Sequence, residues 1–217
     1  MATLAGRGLP GKARDRGMHV IELAGWEGRG EGGAFNVRGI LLHHDAMGLG
    51  YVDSNLSNNL NVPKYMSQPG NSGSQVWIGR DTSNQMSLVF LASGCKWHAG
   101  SGRGFRSIPG GNGNGTCIGI ETDHTIGTGW DAEIMKYIDL TTWLFCDEYG
   151  IDPDQWLAGH REYAPDRKVD PEAFDLDAWR ARARSRTPFT GGGSVTPPPD
   201  KPTPPAGFLP RLMHWGT

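Results

Sequence analysis

The chain has 217 residues, with 21 Lys+Arg against 23 Asp+Glu and a formal charge of -2, which is room for one ordinary domain with a sizeable core and a tail, not for two full domains. No basic excess is available to neutralise a phosphate backbone and no Lys/Arg block exceeds two residues, so nucleic acid is excluded as the expected partner. The longest apolar runs, such as 87–92, are strand-sized and far short of the roughly 20 residues that cross a bilayer, so no membrane insertion is expected.

From the N-terminus, residues 1–17 mix Arg, Lys and Gly with a few apolar residues and lack the continuous apolar stretch of a secretory signal, which predicts synthesis in the cytoplasm. Residues 19–24 (HVIELA) suit either a helical turn or an extra edge strand. RGILLHH (38–44), VWIGR (76–80), SLVFLA (87–92) and CIGIET (117–122) are short β-rich runs bounded by Gly, Asn, Ser and Asp, and read as strands. A helix is expected between Asp53 and Met66. The longest helix is predicted over 131–149, with Ile134, Ile138, Thr141 and Phe145 on one face, the capping pattern Thr128-x-x-Asp131 before it and Gly150 at its end. In GHREYAPDRKVDP (159–171), Pro165 and Pro171 forbid a continuous helix and imply an ordered loop. A further helix starts after Asp175 and runs through Trp179 towards Arg186. Strands mixed with helices, without a strict βαβ rhythm, predict an α/β fold with a mixed central sheet flanked by helices.

After Phe189 the composition changes. TGGGS (190–194) precedes a stretch in which six of the ten residues 196–205 are proline, an extended spacer that cannot pack a core. The expected organisation is a lead-in over 1–30, a main domain over 31–187, a linker over 188–206 and, over 207–217, a stub that begins a truncated second domain. Cys95, Cys117 and Cys146 form no CxxC pair and leave one over, so they read as small buried hydrophobes. The glycine-rich run 100–115 lacks the Gly-Lys-Ser/Thr ending of a phosphate loop and reads as a flexible wall of a cleft.

A hydrolytic zinc site takes three His and Asp/Glu ligands and keeps one position open. His43, at the end of the strand ILLHH, can aim its ring into a cleft, and His160 and Asp170 bracket the proline-interrupted loop. Taken singly, a strand-end His is as readily structural as a ligand. The combination LLHHDA, WHAG (97–100), IGIET (118–122) and GHREYAPDRKVDP resembles the zinc-dependent N-acetylmuramoyl-L-alanine amidases related to peptidoglycan recognition proteins, over roughly residues 25–180. The approach LAGWEGRG (23–30) is similar to endolysins of phages that infect actinobacteria.

The resemblance implies zinc bound by His43, His160 and Asp170, with Glu121 as general base and acid and Lys168 stabilising the negative oxygen of the tetrahedral intermediate. Trp97 and His98 are implied at the substrate groove. His44 is placed with them as a neighbour of the site. Adjacent strand residues point to opposite faces, so it supports the site or the structure rather than bonding the same metal. His124 lies in a polar loop and reads as solvated, Trp77 as core. The expected substrate is peptidoglycan, cut by a monomeric phage endolysin. A non-catalytic peptidoglycan-binding module is the competing reading. A muramidase, which needs a carboxylate pair and no metal, is disfavoured by the ligand set.

Overall fold

A computed structural model describes residues 3–45, 60–124 and 126–190. In chain order its elements are helix α1 (Leu9–Asp15), strands β1 (Val20–Glu22) and β2 (Gly39–Leu42), α2 (Asn61–Met66), β3 (Val76–Arg80), β4 (Met86–Phe90), β5 (Ser101–Gly102), β6 (Gly111–Asn112), β7 (Cys117–Thr122), α3 (Ala132–Tyr149), α4 (Pro153–Trp156), β8 (Leu157–Gly159), α5 (His160–Tyr163) and α6 (Leu176–Ser185). Six strands form one sheet in the order β1-β4-β3-β7-β2-β8, all pairs parallel except β3 with β4. This is the mixed sheet flanked by helices that the composition of the elements predicts. The extended N-terminal segment becomes the edge strand β1.

Alternation along the strands sorts side chains onto two faces. Ile40, Leu42, Val76, Ile78, Leu88, Phe90, Ile118 and Ile120 point to one face and pack with Ile134, Ile138, Phe145, Trp179 and Ala183 of α3 and α6 and with Leu4, Leu9 and Ala13 of the N-terminal segment. The other face carries Leu41, Cys117 and Ala158 towards Ala99, Ile108 and Tyr163. It also carries Trp77 and Val89 towards Val62. On this second face loops rather than long helices cover the sheet, and there the polar residues gather.

Helix α3 starts one turn later than a Thr128 cap would place it. The cap is Asp131 itself, whose side chain accepts from the N–H groups of Glu133 and Ile134, satisfying donors that a helix start leaves orphaned. Gly150 ends the helix at φ 64, in the left-handed region that glycine enters without a Cβ penalty. Asp175 caps α6 through the Ala178 N–H. The helix expected between Asp53 and Met66 is present as α2. Residues 46–59, with the start of that expectation, and the linker and stub beyond residue 190 lie outside the described residues. Cys95, Cys117 and Cys146 are free and buried, as small hydrophobes.

The glycine-rich stretch is a hairpin of β5 and β6 followed by a helical turn at Gly113–Gly115, not a loose wall. Its glycines serve close packing. A Cβ on Gly102 would lie 2.4 Å from the Tyr163 ring, and one on Gly113 3.0 Å from both Ala99 and Tyr163.

Candidate metal centre

Strand β2 lies between β7 and β8, with Leu42 level with Ile120 on one side and Gly159 on the other. The next residue along each strand is therefore His43, Glu121 and His160, side by side at the carboxyl ends of three parallel strands and on the loop-covered face. That edge is where open α/β sheets place their ligands. The His43 N–H donates to the Ile120 carbonyl at 2.8 Å, which continues the ladder one residue past β2 and fixes the ring's origin.

His160 opens the single turn α5, so the loop expected over 159–171 begins helically. The turn is closed by the Glu162 carboxylate, which accepts from the Gly159 N–H at 3.0 Å. Arg180 of α6 grips the same carboxylate with two bonds of 2.8 and 2.9 Å. From α5 the chain loops back, and the Arg161 N–H donates to the Asp170 carbonyl at 2.6 Å. Arg167 staples this loop to β5 by donating to the carbonyls of Ala99 and Ser101.

These supports bring three ligand atoms together. His43 Nδ1 lies 2.9 Å from His160 Nδ1 and 3.2 Å from Asp170 Oδ2, and His160 Nδ1 lies 3.1 Å from the same oxygen. All three residues are buried. His160 Nε2 faces the Ala99 carbonyl at 3.0 Å. A carbonyl only accepts, so the proton sits on Nε2 and the bare lone pair of Nδ1 points into the cluster. Two imidazole nitrogens and a carboxylate oxygen converging out of water are the donor set of a transition-metal site. Among the described residues this is the one group of three or more His, Cys, Asp and Glu with ligand atoms within 4.8 Å of one another.

The electrostatics follow from burial. Desolvation, and then the proximity of His160, push His43 down to about 4 against the opposing pull of Asp170. For Asp170 burial alone would raise the pKa, but the closely facing imidazoles of His160 and then His43 outweigh it and hold the carboxyl well below its ordinary range. Glu121 goes the other way. Burial first, then the negative neighbours Asp45 and Asp170, raise it to about 8, against the hydrogen bond that the buried Ser74 hydroxyl donates to Oε2 at 2.9 Å. Lys168, half-buried on the Asp170 loop, is lowered mainly by desolvation, while Asp170 and Glu121 pull it back up. Asp166, on the same loop, pairs with Arg103 at 2.6 Å.

Three expected positions change. His98 is buried, 2% exposed, with Nδ1 3.0 Å from His43 Nε2, so it stands behind His43 rather than in the groove. His124 is not solvated. It is buried and stacked on Trp130 at 3.9 Å, and His44 joins the same stack on the far face of the sheet. His44 is buried in that stack, with its ring 5.4 Å from His124 and 6.3 Å from Trp130. Trp97 is 47% exposed next to His98, open to a ligand. Trp77 is fully buried and its indole donates to Asp45 at 2.9 Å. Sequence reasoning missed Ser74 and Asp45, whose influence on Glu121 comes through neighbouring strands, although Asp45 directly follows the His-His pair.

The sequence profile of the family described as N-acetylmuramoyl-L-alanine amidase matches residues 33–173. No curated protein matches the chain. Among solved structures, PlyL is 14% identical with a TM-score of 0.53, over 76% of this chain and 96% of its own. AmpD is 20% identical with a TM-score of 0.51, over 76% and 93%. AmpDh3 from Pseudomonas aeruginosa, solved in complex with an anhydromuramic pentapeptide, is 18% identical with a TM-score of 0.51, over 76% and 66%. At these identities the likeness shows a shared fold.

Proposed function

The chain belongs to the N-acetylmuramoyl-L-alanine amidase family, and from that membership we propose that it hydrolyses the amide between the lactyl group of N-acetylmuramic acid and L-alanine in peptidoglycan, with zinc as its metal. The observation that carries the reading is the convergence of His43 Nδ1, His160 Nδ1 and Asp170 Oδ2 at 2.9–3.2 Å, with Glu121 beside them on the next strand.

His43, His160 and Asp170 would hold the ion. When bound, zinc supplies a Lewis acid that brings the pKa of a coordinated water near 7 and polarises a carbonyl. Glu121 takes the proton of the attacking water as the oxygen adds to the carbonyl carbon, and returns it to the alanine nitrogen as the C–N bond breaks. Burial raises this carboxyl above its ordinary range in the metal-free protein, in the direction that a two-way transfer near neutral pH needs. The Ser74 hydroxyl holds Oε2 and so orients the carboxylate. The Lys168 ammonium, electrostatically linked to Asp170 and Glu121, stabilises the negative charge that develops on the former carbonyl oxygen. Exposed Trp97 offers an apolar wall to the glycan or peptide. That AmpDh3, of the same fold, holds an anhydromuramic pentapeptide supports a muropeptide as the ligand.

A non-catalytic wall-binding module would need neither Glu121 nor Lys168, and their placement beside the cluster favours the enzyme. The test is zinc content of the purified protein followed by assay of new N-terminal alanine on purified cell walls. Zinc-loaded protein that releases alanine supports the amidase, whereas zinc-loaded protein that leaves walls intact overturns it in favour of the binder. The biological role we assign is a phage endolysin tethered by a wall-binding region after the proline-rich segment. A genomic neighbourhood without phage lysis genes would overturn that assignment.

A further inference from the structure

Behind His43 lies a second imidazole whose partners determine where the His43 proton sits. His98 Nε2 is 3.0 Å from the Cys117 carbonyl and His98 Nδ1 is 3.0 Å from His43 Nε2. The carbonyl has lone pairs only, so a neutral His98 carries its proton on Nε2 and presents a bare Nδ1. The reverse tautomer would set the Nε2 lone pair against the carbonyl oxygen at hydrogen-bond distance. With an ion in place of the proton that Asp170 Oδ2, 3.2 Å away, would otherwise draw to His43 Nδ1, His43 can donate to that bare Nδ1 from Nε2 and keep its own Nδ1 lone pair for the metal.

The position of His98 is itself heavily constrained. The Asn114 side-chain oxygen accepts from three consecutive N–H groups, those of His98 at 3.0 Å, Ala99 at 2.7 Å and Gly100 at 3.2 Å. The ring lies over Gly119 of β7, where a Cβ would come within 2.8 Å of its Cγ and Nδ1. His98 and His43 meet edge to face, centroids 5.1 Å apart. A purely space-filling ring would not need both nitrogens directed at partners.

We propose that His98 is a positioning residue that locks His43 in the tautomer able to ligate a metal, through a hydrogen-bond relay anchored on the Cys117 carbonyl. The proposal rests on reading the cluster as a zinc site. Partners that orient a ligating imidazole through its other nitrogen typically account for about 10–100-fold in metal affinity. His98→Gln keeps one acceptor for His43 and one donor for Cys117, while His98→Leu keeps neither.

Two measurements test it. Zinc affinity by chelator competition is expected to fall about 10–100-fold in H98L and to be largely restored in H98Q. H98L that binds zinc like the wild type, or folded H98Q as weak as H98L, overturns the relay. Long-range nitrogen–proton correlation spectra of the wild-type protein are expected to show His98 protonated on Nε2, against the Cys117 carbonyl. A proton on Nδ1 overturns the relay without any variant, and so decides the matter if H98L does not fold. If the wild type takes up no zinc, the metal reading fails, and the same spectra still decide the relay.

Discussion

Glu121 makes the sharpest predictions at the level of single side chains. Replacing it with Gln keeps the hydrogen bond to Ser74 and the volume but removes the proton carrier. Alanine release should fall by about 10²–10⁴-fold while zinc content, measured by metal analysis, stays at the wild-type level. Asp170→Ala should act in the opposite sense and lose the metal. Glu121 also ties stability to pH in the metal-free protein. Its pKa rises from an ordinary 4.5 to about 8 on folding, so the folded state binds the proton more tightly than the unfolded one. The resulting stability is complete below about 4.5 and is lost as pH rises through about 8. Glu121→Gln escapes that loss, so in thermal melts of metal-free protein its advantage over wild type should widen from pH 4.5 to 8, to the order of a few kcal/mol. A gap that does not change with pH would contradict the burial of this carboxyl. At this scale His43, Glu121, His160 and Asp170 were legible because each stands in a short motif at a strand end or in a proline-bounded loop. His98 and His124 were not, since their burial depends on residues distant in the chain, Gly119 and Asn114 for one and the Trp130 ring for the other.

Strand β7 positions more than its own carboxylate. Cys117, Gly119 and Glu121 share one face, and the missing side chain at Gly119 leaves the space that the His98 ring and the Ser74 hydroxyl occupy. A Cβ there would stand 2.6 Å from Ser74 Oγ and 2.8 Å from the His98 ring. Gly119→Ala should therefore displace the groups that orient both Glu121 and His43, weakening zinc binding and cleavage together, at a stability cost of about 1–3 kcal/mol in chemical denaturation. A variant with normal zinc affinity and normal cleavage would show that this approach is not needed. The strands themselves were readable from their β-branched runs, and α3 and α6 from apolar periodicity and caps. The elements β8 and α5 were not, because three- and four-residue elements carry no period. What defines them is pairing with β2 and the Glu162–Arg180 grip.

Across the whole molecule, the segment ahead of the family-matched region is part of the domain rather than a lead-in. Leu4, Leu9, Ala13 and Met18 are buried in the main core, and β1 pairs in parallel with β4 to extend the sheet. Arg7 stacks on Tyr149 at 4.2 Å and Lys12 pairs with Glu148 at 2.7 Å, although such surface contacts contribute little beside the apolar burial. Each fully buried large apolar side chain contributes roughly 1.5–3 kcal/mol. A protein lacking residues 1–18 should accordingly melt far below the full-length chain, and one that melts with it would contradict this packing. Mixed composition hid the segment, since its seven-residue helix holds one Gly, one Pro, one Lys and one Arg and offers only Leu9 and Ala13, a turn apart, as a core-facing pair.

The central claim is a specific bond cut by a specific set of side chains, and mass analysis of the products from a defined muropeptide reads that bond directly. Zinc-loaded protein is predicted to yield an intact glycan ending in the free lactyl carboxylate and a stem peptide with a free N-terminal alanine, with neither formed by Glu121→Gln. An uncut muropeptide in the presence of zinc-loaded wild type, or fragments broken at a glycosidic or another peptide bond, would contradict it.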